Sequence, residues 1–282
     1  MKKRKGVSLH IQRMNIGSHI ILCFWSLLVL FPLWVLVINS FKDRLSIYTN
    51  PFGLPETWHF ENYSDVLASG DFLNYFKNSF LVVIISLVLV MFLGAMASYA
   101  LAKWRSKISN VFYTIFIMGM MIPIKIASLK LMEMVRTLGL FNTIWALVPI
   151  YVAMGLPIAV FVLTEFIRQI PKEMSEAAMA DGAGQFMILG RIILPLLRPA
   201  LATVAIYNLI PFWNDLWFPL IFISDEKSKT LLLGVTRLFG QYQTDWSKVL
   251  AVLALASIPV LVLYLIFSKQ FIKGLTAGGV KG

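Results

Sequence analysis

Long apolar runs alternate with short polar segments along the chain. A helix needs about 20 apolar residues to cross the roughly 30 Å hydrocarbon core of a bilayer. Five charge-free runs approach that length, and a sixth is interrupted by a single acid, Asp215. The pattern therefore predicts an all-α membrane protein with six transmembrane helices in one domain, residues 1–282. The predicted spans are residues 20–38, 78–102, 108–130, 138–164, 199–223 and 249–268.

The composition is that of a membrane protein and provides no metal site. Hydrophobic residues make up 59% of the chain and charged residues 14%, with a mean hydropathy of +0.78. Charged residues are about a quarter of a soluble domain. Cys23 is the single cysteine, and the three histidines are not paired at metal-ligand spacing, so neither a disulfide nor a metal is expected. The first apolar run has no small-residue cleavage site, which favours an uncleaved span over a signal peptide.

Basic residues are unevenly divided between the two sides of the predicted membrane. Fifteen Lys and Arg lie in the N-terminus, the loops 103–107 and 168–198, and the tail 269–282, against nine in the alternate loops. An excess of Lys and Arg marks the cytoplasmic side of a membrane protein. Both termini and the loop 168–198 are therefore predicted to be cytoplasmic. The formal net charge of +11 then reflects topology, and nucleic acid is not an expected partner.

The loop 168–198 is predicted to form two short helices joined at a glycine. Pro171 suits the first turn of a helix, where its missing N–H costs nothing. Gly182 supplies a stop for that helix. A second helix, Gln185–Ile193, is expected to end before Pro195, which cannot continue its hydrogen-bond ladder.

Small side chains cover the first of these two helices. Ala177, Ala178 and Ala180 let the backbone of another protein come close, and Glu176 adds a charge beside them. The alternative is an amphipathic helix that rests on lipid headgroups through bulky apolar residues. Because bulky residues are few and scattered here, the pattern favours docking to a protein.

A spacing motif in this loop resembles a known signature. Starting at Glu176, the order E-A-A, three residues, G, nine residues, I-x-L-P resembles the EAA signature of binding-protein-dependent ABC transporter permeases. The resemblance implies the type I ABC importer permease fold and a coupling loop that sits in a cleft of a cytoplasmic ATPase. The coupling residues that it implies are Glu176, Ala177, Ala178, Asp181, Gly182, Ile192, Leu194 and Pro195.

Two further segments resemble the maltose-transporter type of sugar permease. They are FWNDLWFPLIF, residues 212–222, and the C-terminal FIKGLTAGGVKG, residues 271–282. The resemblance implies one permease of an ATP-driven carbohydrate importer in the bacterial inner membrane. Its partners would be a second permease, a dimer of ATP-binding cassette ATPase subunits and an extracytoplasmic solute-binding protein. The chain has no P-loop GxxxxGK[ST], so we expect no enzyme activity and no cofactor in it, with ATP and Mg²⁺ bound by the ATPase.

The glycine-rich C-terminal tail is a second expected contact with the ATPase. It resembles a tail that the maltose-type family inserts between the ATPase subunits. Residues 276–282 have little hydrophobic bulk and are expected to be disordered when alone. The tail residues implied are Thr276, Gly278, Gly279 and Lys281.

Polar residues of the fifth span are candidates for a substrate path, because such residues are costly in a membrane and commonly functional. Asn208 precedes Asp215 by two helical turns, and Pro211 between them is expected to kink the helix. Trp213 and Asn214 add an aromatic ring and an amide that could meet a sugar. The alternative places Asp215 near the outer interface with the tryptophans in an aromatic belt, and has Asn208 bonding a neighbouring helix.

Three other functions compete with a sugar permease. A permease for a related solute such as glycerol-phosphate would have a similar sequence. A secondary transporter would need buried acids in several spans, whereas Asp215 is the one acid in the middle of a predicted span. A membrane enzyme would need a motif such as HExxH or GxSxG, which the chain lacks.

Overall fold

The described part of the protein is helical almost throughout. The computed structural model describes the backbone of residues 16–104, 106–239 and 244–279, and their side chains except 267 and 269–279. Within these ranges no β-strand forms, and an isolated bridge joins Phe239 to Thr244. The all-α prediction is confirmed for these residues. The helices are α1 Ile16–Asn39, α2 Arg44–Thr49, α3 Glu61–Ala68, α4 Asp71–Lys103, α5 Lys107–Gly119, α6 Ser128–Thr137, α7 Leu147–Gln169, α8 Lys172–Ala180, α9 Gln185–Ile188, α10 Leu194–Leu196, α11 Arg198–Trp213, α12 Trp217–Phe222, α13 Leu231–Val235 and α14 Trp246–Gly279.

Four of the described helices are long and apolar enough to cross a membrane: α1, α4, α7 and α14. Two bent pairs also qualify if each pair is counted as one span. The segment from α5 to α6 bends by 82°, and the segment from α9 to α11 bends by 75°. The described residues therefore contain four to six candidate spans.

The third predicted span, residues 108–130, is broken in the structure. Helix α5 ends at Gly119, and the chain turns before a 3₁₀ turn, Ile124–Ala127, leads into α6. Pro123 lies at this turn, and proline both lacks an N–H and keeps the preceding residue away from helical geometry. The prediction of a continuous helix to residue 130 is wrong for this reason.

The fourth and fifth predicted spans also differ from the observed helices. The fourth, residues 138–164, begins with a turn at Gly139 and Asn142, both with positive φ, and its helix extends to Gln169. The fifth, residues 199–223, is interrupted between α11 and α12. Pro211, in the last turn of α11, cannot donate to the preceding turn, which weakens the helix just before it ends.

The last helix is longer than predicted. Helix α14 continues beyond residue 268 to Gly279, because extending an existing helix by a residue is far easier than starting one. The prediction of a disordered tail is therefore wrong for residues 276–279, which include Thr276, Gly278 and Gly279. The tail residue Lys281 lies outside the described residues.

Small residues let three long helices pack closely. A Cβ added at Gly94 of α4 would lie 2.9 Å from the Cβ of Ala159 in α7. One added at Gly155 of α7 would lie 2.8 Å from Asn208 Oδ1 in α11. Both distances are shorter than a carbon contact allows, so only glycine permits these crossings. Helix α1 lies outside this core and exposes its apolar side chains along nearly its whole length.

The polar connections at the opposite end from α8 form a compact layer. Lys42 is almost fully buried and its Nζ donates to the Asn50 carbonyl oxygen at 2.5 Å. Arg237 forms ion pairs with Asp71 at 2.9 Å and with Glu226 at 3.1 Å, which join the connection after α12 to the start of α4. A hydrogen bond from Lys229 is the main reason why the pKa of Glu226 lies below its ordinary value.

Candidate functional site

The α8 helix ends in a hydrogen-bonded glycine turn. Gly182 has a φ of +81°, in the left-handed region that glycine adopts without strain. Its N–H donates to Met179 O at 3.0 Å, and the N–H of Ala183 donates to Ala178 O at 2.9 Å. These two bonds form a Schellman motif. The structure thus has the stop that the sequence predicts at Gly182, and a geometric reason for glycine there.

The side chains of the signature point in different directions. Glu176, Ala177 and Asp181 are exposed, whereas Ala178 is partly buried against the helix core. Ala180 is also exposed. The exposed surface of α8 therefore combines Ala177 and Ala180 with charged side chains and with Met174 and Met179, and Ala178 packs beneath it.

The second half of the loop is more continuous than predicted. Helix α9 passes into a π-helical turn, Leu189–Ile193, and then into α10, which contains Pro195. Proline cannot donate to the residue four positions earlier, and the wider turn shifts the ladder so that the Leu194 N–H donates to Leu189 O. The prediction that the helix ends before Pro195 is wrong because this wider turn accommodates the proline.

The segment from α9 to α10 packs against the helix core. Ile188, Ile193 and Leu197 are almost fully buried, and Ile192 and Leu194 are partly buried, while Pro195 is exposed. The signature residues Ile192 and Leu194 therefore pack against the protein. After α10 the chain bends by 75° into α11, so this packed segment connects the turn after α8 to the start of α11.

Polar side chains join the loop to the end of α4 and join α5 to the end of α7. Gln185 Oε1 accepts hydrogen bonds from Tyr99 Oη at 2.8 Å and from Lys103 Nζ, both in α4. Glu165 Oε1 in α7 accepts from Tyr113 Oη and from Arg168, each at 2.7 Å. These contacts were not predicted from the sequence. Their signal was a polar side chain within one or two turns of a span's end, which does not by itself reveal a partner.

Asp215 lies at the break between α11 and α12, with 8% of its surface exposed. Its carboxylate accepts hydrogen bonds from Tyr151 Oη at 3.0 Å and from the N–H of Trp217 at 3.1 Å, with a longer contact to the N–H of Phe218 at 3.4 Å. A carboxylate that accepts from the first N–H groups of a helix caps it. Asp215 therefore caps the start of α12 and connects it to α7 through the hydrogen bond from Tyr151.

The other predicted path residues do not form one surface. Asn208 is buried and donates to Val204 O at 2.9 Å, within its own helix. Trp213 is buried, and its Nε1 donates to Ala256 O of α14 at 3.0 Å. Asn214 is exposed. Trp213 and Asp215 are therefore buried beside the break between α11 and α12. Of the four predicted path residues, Asn214 is the accessible one.

A different face of α11 is accessible. Tyr207, Ile210 and Asn214 are exposed and follow one another at a spacing that puts them on one side of a helix. Trp217, also exposed, donates from Nε1 to Ser128 Oγ at 2.8 Å. Sequence periodicity could not identify this face, because α11 is apolar on nearly all its sides and has few polar residues to mark one of them.

The loop and the helix break belong to a recognisable transport protein. Residues 91–276 match the family described as binding-protein-dependent transport system inner membrane component. The chain belongs to this family. The match includes α8 with its glycine turn and the broken segment from α11 to α12, so both candidate sites lie within the part that defines these inner membrane permeases.

Named relatives of this permease match over almost their whole length. The inner membrane ABC transporter permease protein YcjP of Escherichia coli is 36% identical over 276 residues, which are 95% of this chain and 97% of the relative. The diacetylchitobiose uptake system permease protein NgcG of Streptomyces coelicolor is 35% identical over 264 residues, 93% of this chain and 87% of the relative. The permease is thus a multi-pass protein of the inner membrane.

A solved structure shares the fold. A chain of a bacterial ABC transporter involved in the import of the acidic polysaccharide alginate superposes with a TM-score of 0.79, covering 96% of this permease and 100% of that chain. The two are 21% identical. The described residues of the permease contain no group of three or more His, Cys, Asp or Glu able to hold a metal ion.

Proposed function

We propose that the protein is one permease subunit of an ATP-driven importer that carries a carbohydrate across the bacterial inner membrane. The observation that carries this proposal is the α8 loop. Its exposed Glu176, Ala177 and Asp181 lie on or just after a helix that ends at Gly182, and the packed segment Gln185–Leu196 connects this helix to α11. A loop built in this way is suited to receive a force from a soluble partner and to pass it to a membrane helix.

The proposed topology has six spans with both termini in the cytoplasm. It counts each bent pair as one span. The excess of Lys and Arg in the N-terminus, the loops 103–107 and 168–198, and the tail supports this orientation. The α8 loop then faces the compartment in which ATP is available.

The proposed assembly contains a second permease, a dimer of ATP-binding cassette ATPase subunits and an extracytoplasmic solute-binding protein. The family description, which names a binding protein, supports the last of these. The chain carries no P-loop motif, so ATP and Mg²⁺ are assigned to the ATPase. Membrane lipid surrounds the assembly.

The proposed coupling residues have two roles. Glu176, Ala177 and Asp181 contact the ATPase, and Gly182 gives the loop its turn. Ile192, Leu194 and Pro195 shape the connection between α8 and α11, while Ala178 holds α8 against the core. Thr276, Gly278, Gly279 and Lys281 of the tail form a second contact with the ATPase.

The proposed cargo is a carbohydrate, supported by the similarity to the diacetylchitobiose permease. Asn214 and Trp217, an exposed amide and an exposed indole three residues apart at the helix break, have the chemistry for hydrogen bonding and stacking against a sugar ring. Trp213, Asn208 and Asp215 support that surface from within. A related solute such as glycerol-phosphate is the alternative cargo.

Copurification tests the assembly. An affinity tag on this permease, expressed from its native locus, is expected to retain a second permease and an ATPase after mild detergent extraction. Retention of the second permease should survive high salt, since permanent interfaces are largely apolar. Recovery of the protein alone, with solute uptake that follows an imposed proton or sodium gradient without ATP, would instead support a secondary transporter.

A further inference from the structure

A cavity lies behind α8, between that helix and the ends of α4 and α7. Its volume is about 230 Å³. The charged side chains in its wall are Lys103, Arg168, Lys172 and Glu176, and hydroxyls of Tyr99 and Ser175 accompany them. The wall therefore carries more positive than negative charge and has donors for hydrogen bonds.

Two of the cations have no carboxylate partner. Arg168 is paired with Glu165 at 2.7 Å. Among the described residues, neither Lys103 nor Lys172 has a carboxylate oxygen within 4.0 Å, and Lys103 Nζ donates to the neutral amide oxygen of Gln185. Lys172 also lies in the first turn of α8, where the helix dipole disfavours a cation. An anion in the cavity would relieve this arrangement.

The position of the cavity indicates the source of such an anion. The cavity is at the point where α4 and α7, two membrane-spanning helices, end. Trp104, the residue after α4, is 57% exposed, and Lys103 Nζ lies 5.6 Å from the centroid of its indole. Exposed tryptophans at span ends mark the level of lipid headgroups. Basic pockets between spans at that level bind anionic headgroups.

We propose that this cavity binds the phosphate of an anionic phospholipid headgroup, held by Lys103 and Lys172. The lipid would fill the space between α8 and the helix core. It would thereby fix the height at which the α8 loop stands above the membrane. This inference concerns lipid binding alone and does not depend on the transported solute.

The test is lipid retention by the purified assembly, measured by native mass spectrometry after reconstitution in nanodiscs of phosphatidylglycerol and phosphatidylcholine. We expect selective retention of phosphatidylglycerol. Each lysine near an anionic surface contributes about fivefold to binding, so Lys103→Gln with Lys172→Gln should weaken retention about 25-fold. Lys77→Gln with Lys107→Gln, two exposed lysines outside the cavity, is the charge-matched control and should retain the lipid.

Three results would overturn the proposal. The first is equal retention of phosphatidylglycerol by the two double variants. The second is displacement of the lipid by millimolar inorganic phosphate, which would identify a soluble anion as the ligand. The third is unchanged lipid binding with loss of the ATPase from the Lys103 and Lys172 variant, which would assign the basic cavity to a protein contact. The first two results leave ATP-driven uptake untested, so they are distinguishable from a failure of the proposed function.

Discussion

Asp215 shows how burial changes the meaning of a polar residue in a membrane span. Sequence alone makes it a candidate for substrate contact, because a lone acid in an apolar run is costly. The structure surrounds its carboxylate with the Tyr151 hydroxyl and the first N–H groups of α12. The same carboxylate thus satisfies groups that would otherwise be unpaired at a helix break.

Removing this carboxylate should affect stability first. Asp215→Ala leaves the buried Tyr151 hydroxyl without its acceptor, at an expected cost of about 1–3 kcal/mol. Asp215→Asn keeps an acceptor and should cost less. Thermal unfolding of the purified assembly, with Tyr151→Phe completing a double-mutant cycle, measures the pair. Additive effects of the two substitutions would mean that the hydrogen bond contributes nothing.

Asn214 should behave in the opposite way. Its side chain is exposed beside the break, so Asn214→Ala is expected to leave thermal stability within about 0.5 kcal/mol of the wild type. If it faces the solute, the KM for uptake should rise or the range of transported sugars should change. Unchanged uptake kinetics for every transported sugar would remove Asn214 from the path.

At the scale of elements, local chemistry predicted the ends of helices better than their continuity. Gly182 ends α8 as expected, because a glycine after a helix is a strong local signal. The break after Gly119 was missed, and in the fifth span the sequence predicted a kink at Pro211 but not the end of the helix at Trp213, because the apolar run continues through both places. Pro123 and Pro211 mark both places, but proline is tolerated in membrane helices, so neither predicts a break by itself.

The turn after α8 offers a matched pair of glycines. A side chain at Gly182 meets no atom within 4 Å, so the cost of Gly182→Leu comes from its positive φ and is about 1–2 kcal/mol. We expect a distorted turn and weaker recruitment of the ATPase. Gly184 has an equally open site and a φ of −73°, so Gly184→Ala is the control and should recruit normally. Equal recruitment by both variants would show that the turn is not required.

The end of α14 should matter for coupling rather than for insertion. Helix α14 continues well past the candidate span Trp246–Ile266, so deletion of residues 276–282 leaves that span intact. Membrane levels of the truncated permease are expected to be normal, and ATP hydrolysis by the assembly to lose its regulation by solute. Wild-type hydrolysis and uptake after the deletion would leave the tail without the proposed role.

At the scale of the whole molecule, the sequence predicted the membrane location and the family. It did not predict which helix faces pack against one another and which stay exposed. The EAA signature lies within one loop, so it is visible in sequence. The exposed stripe of Tyr207, Ile210 and Asn214 depends on how α11 packs against α4, α7 and α14. That packing rests on crossings at Gly94 and Gly155, which involve residues far apart in the chain.

Reporter fusions test the proposed topology. Fusions after Gln185 and Lys273 should give a cytoplasmic signal, and fusions after Glu56 and Lys229 an external one, because the basic loops remain inside. The two fusions after Gln185 and Lys229 lie on either side of α11 and α12. They therefore also report whether this broken segment crosses the membrane. An external signal at Gln185 would contradict both the topology and a coupling role for α8.

The most direct test of the central claim is solute-stimulated ATP hydrolysis by the purified assembly in proteoliposomes. The wild type and Gly184→Ala should show stimulation when the solute-binding protein and its sugar are added. Glu176→Lys reverses a charge at the proposed interface, and loss of a buried charge contact costs about 2–5 kcal/mol, so this variant should insert in the membrane and pair with the second permease but show no stimulation. Full stimulation and full ATPase recruitment in both Glu176→Lys and Gly182→Leu would contradict coupling through the α8 loop.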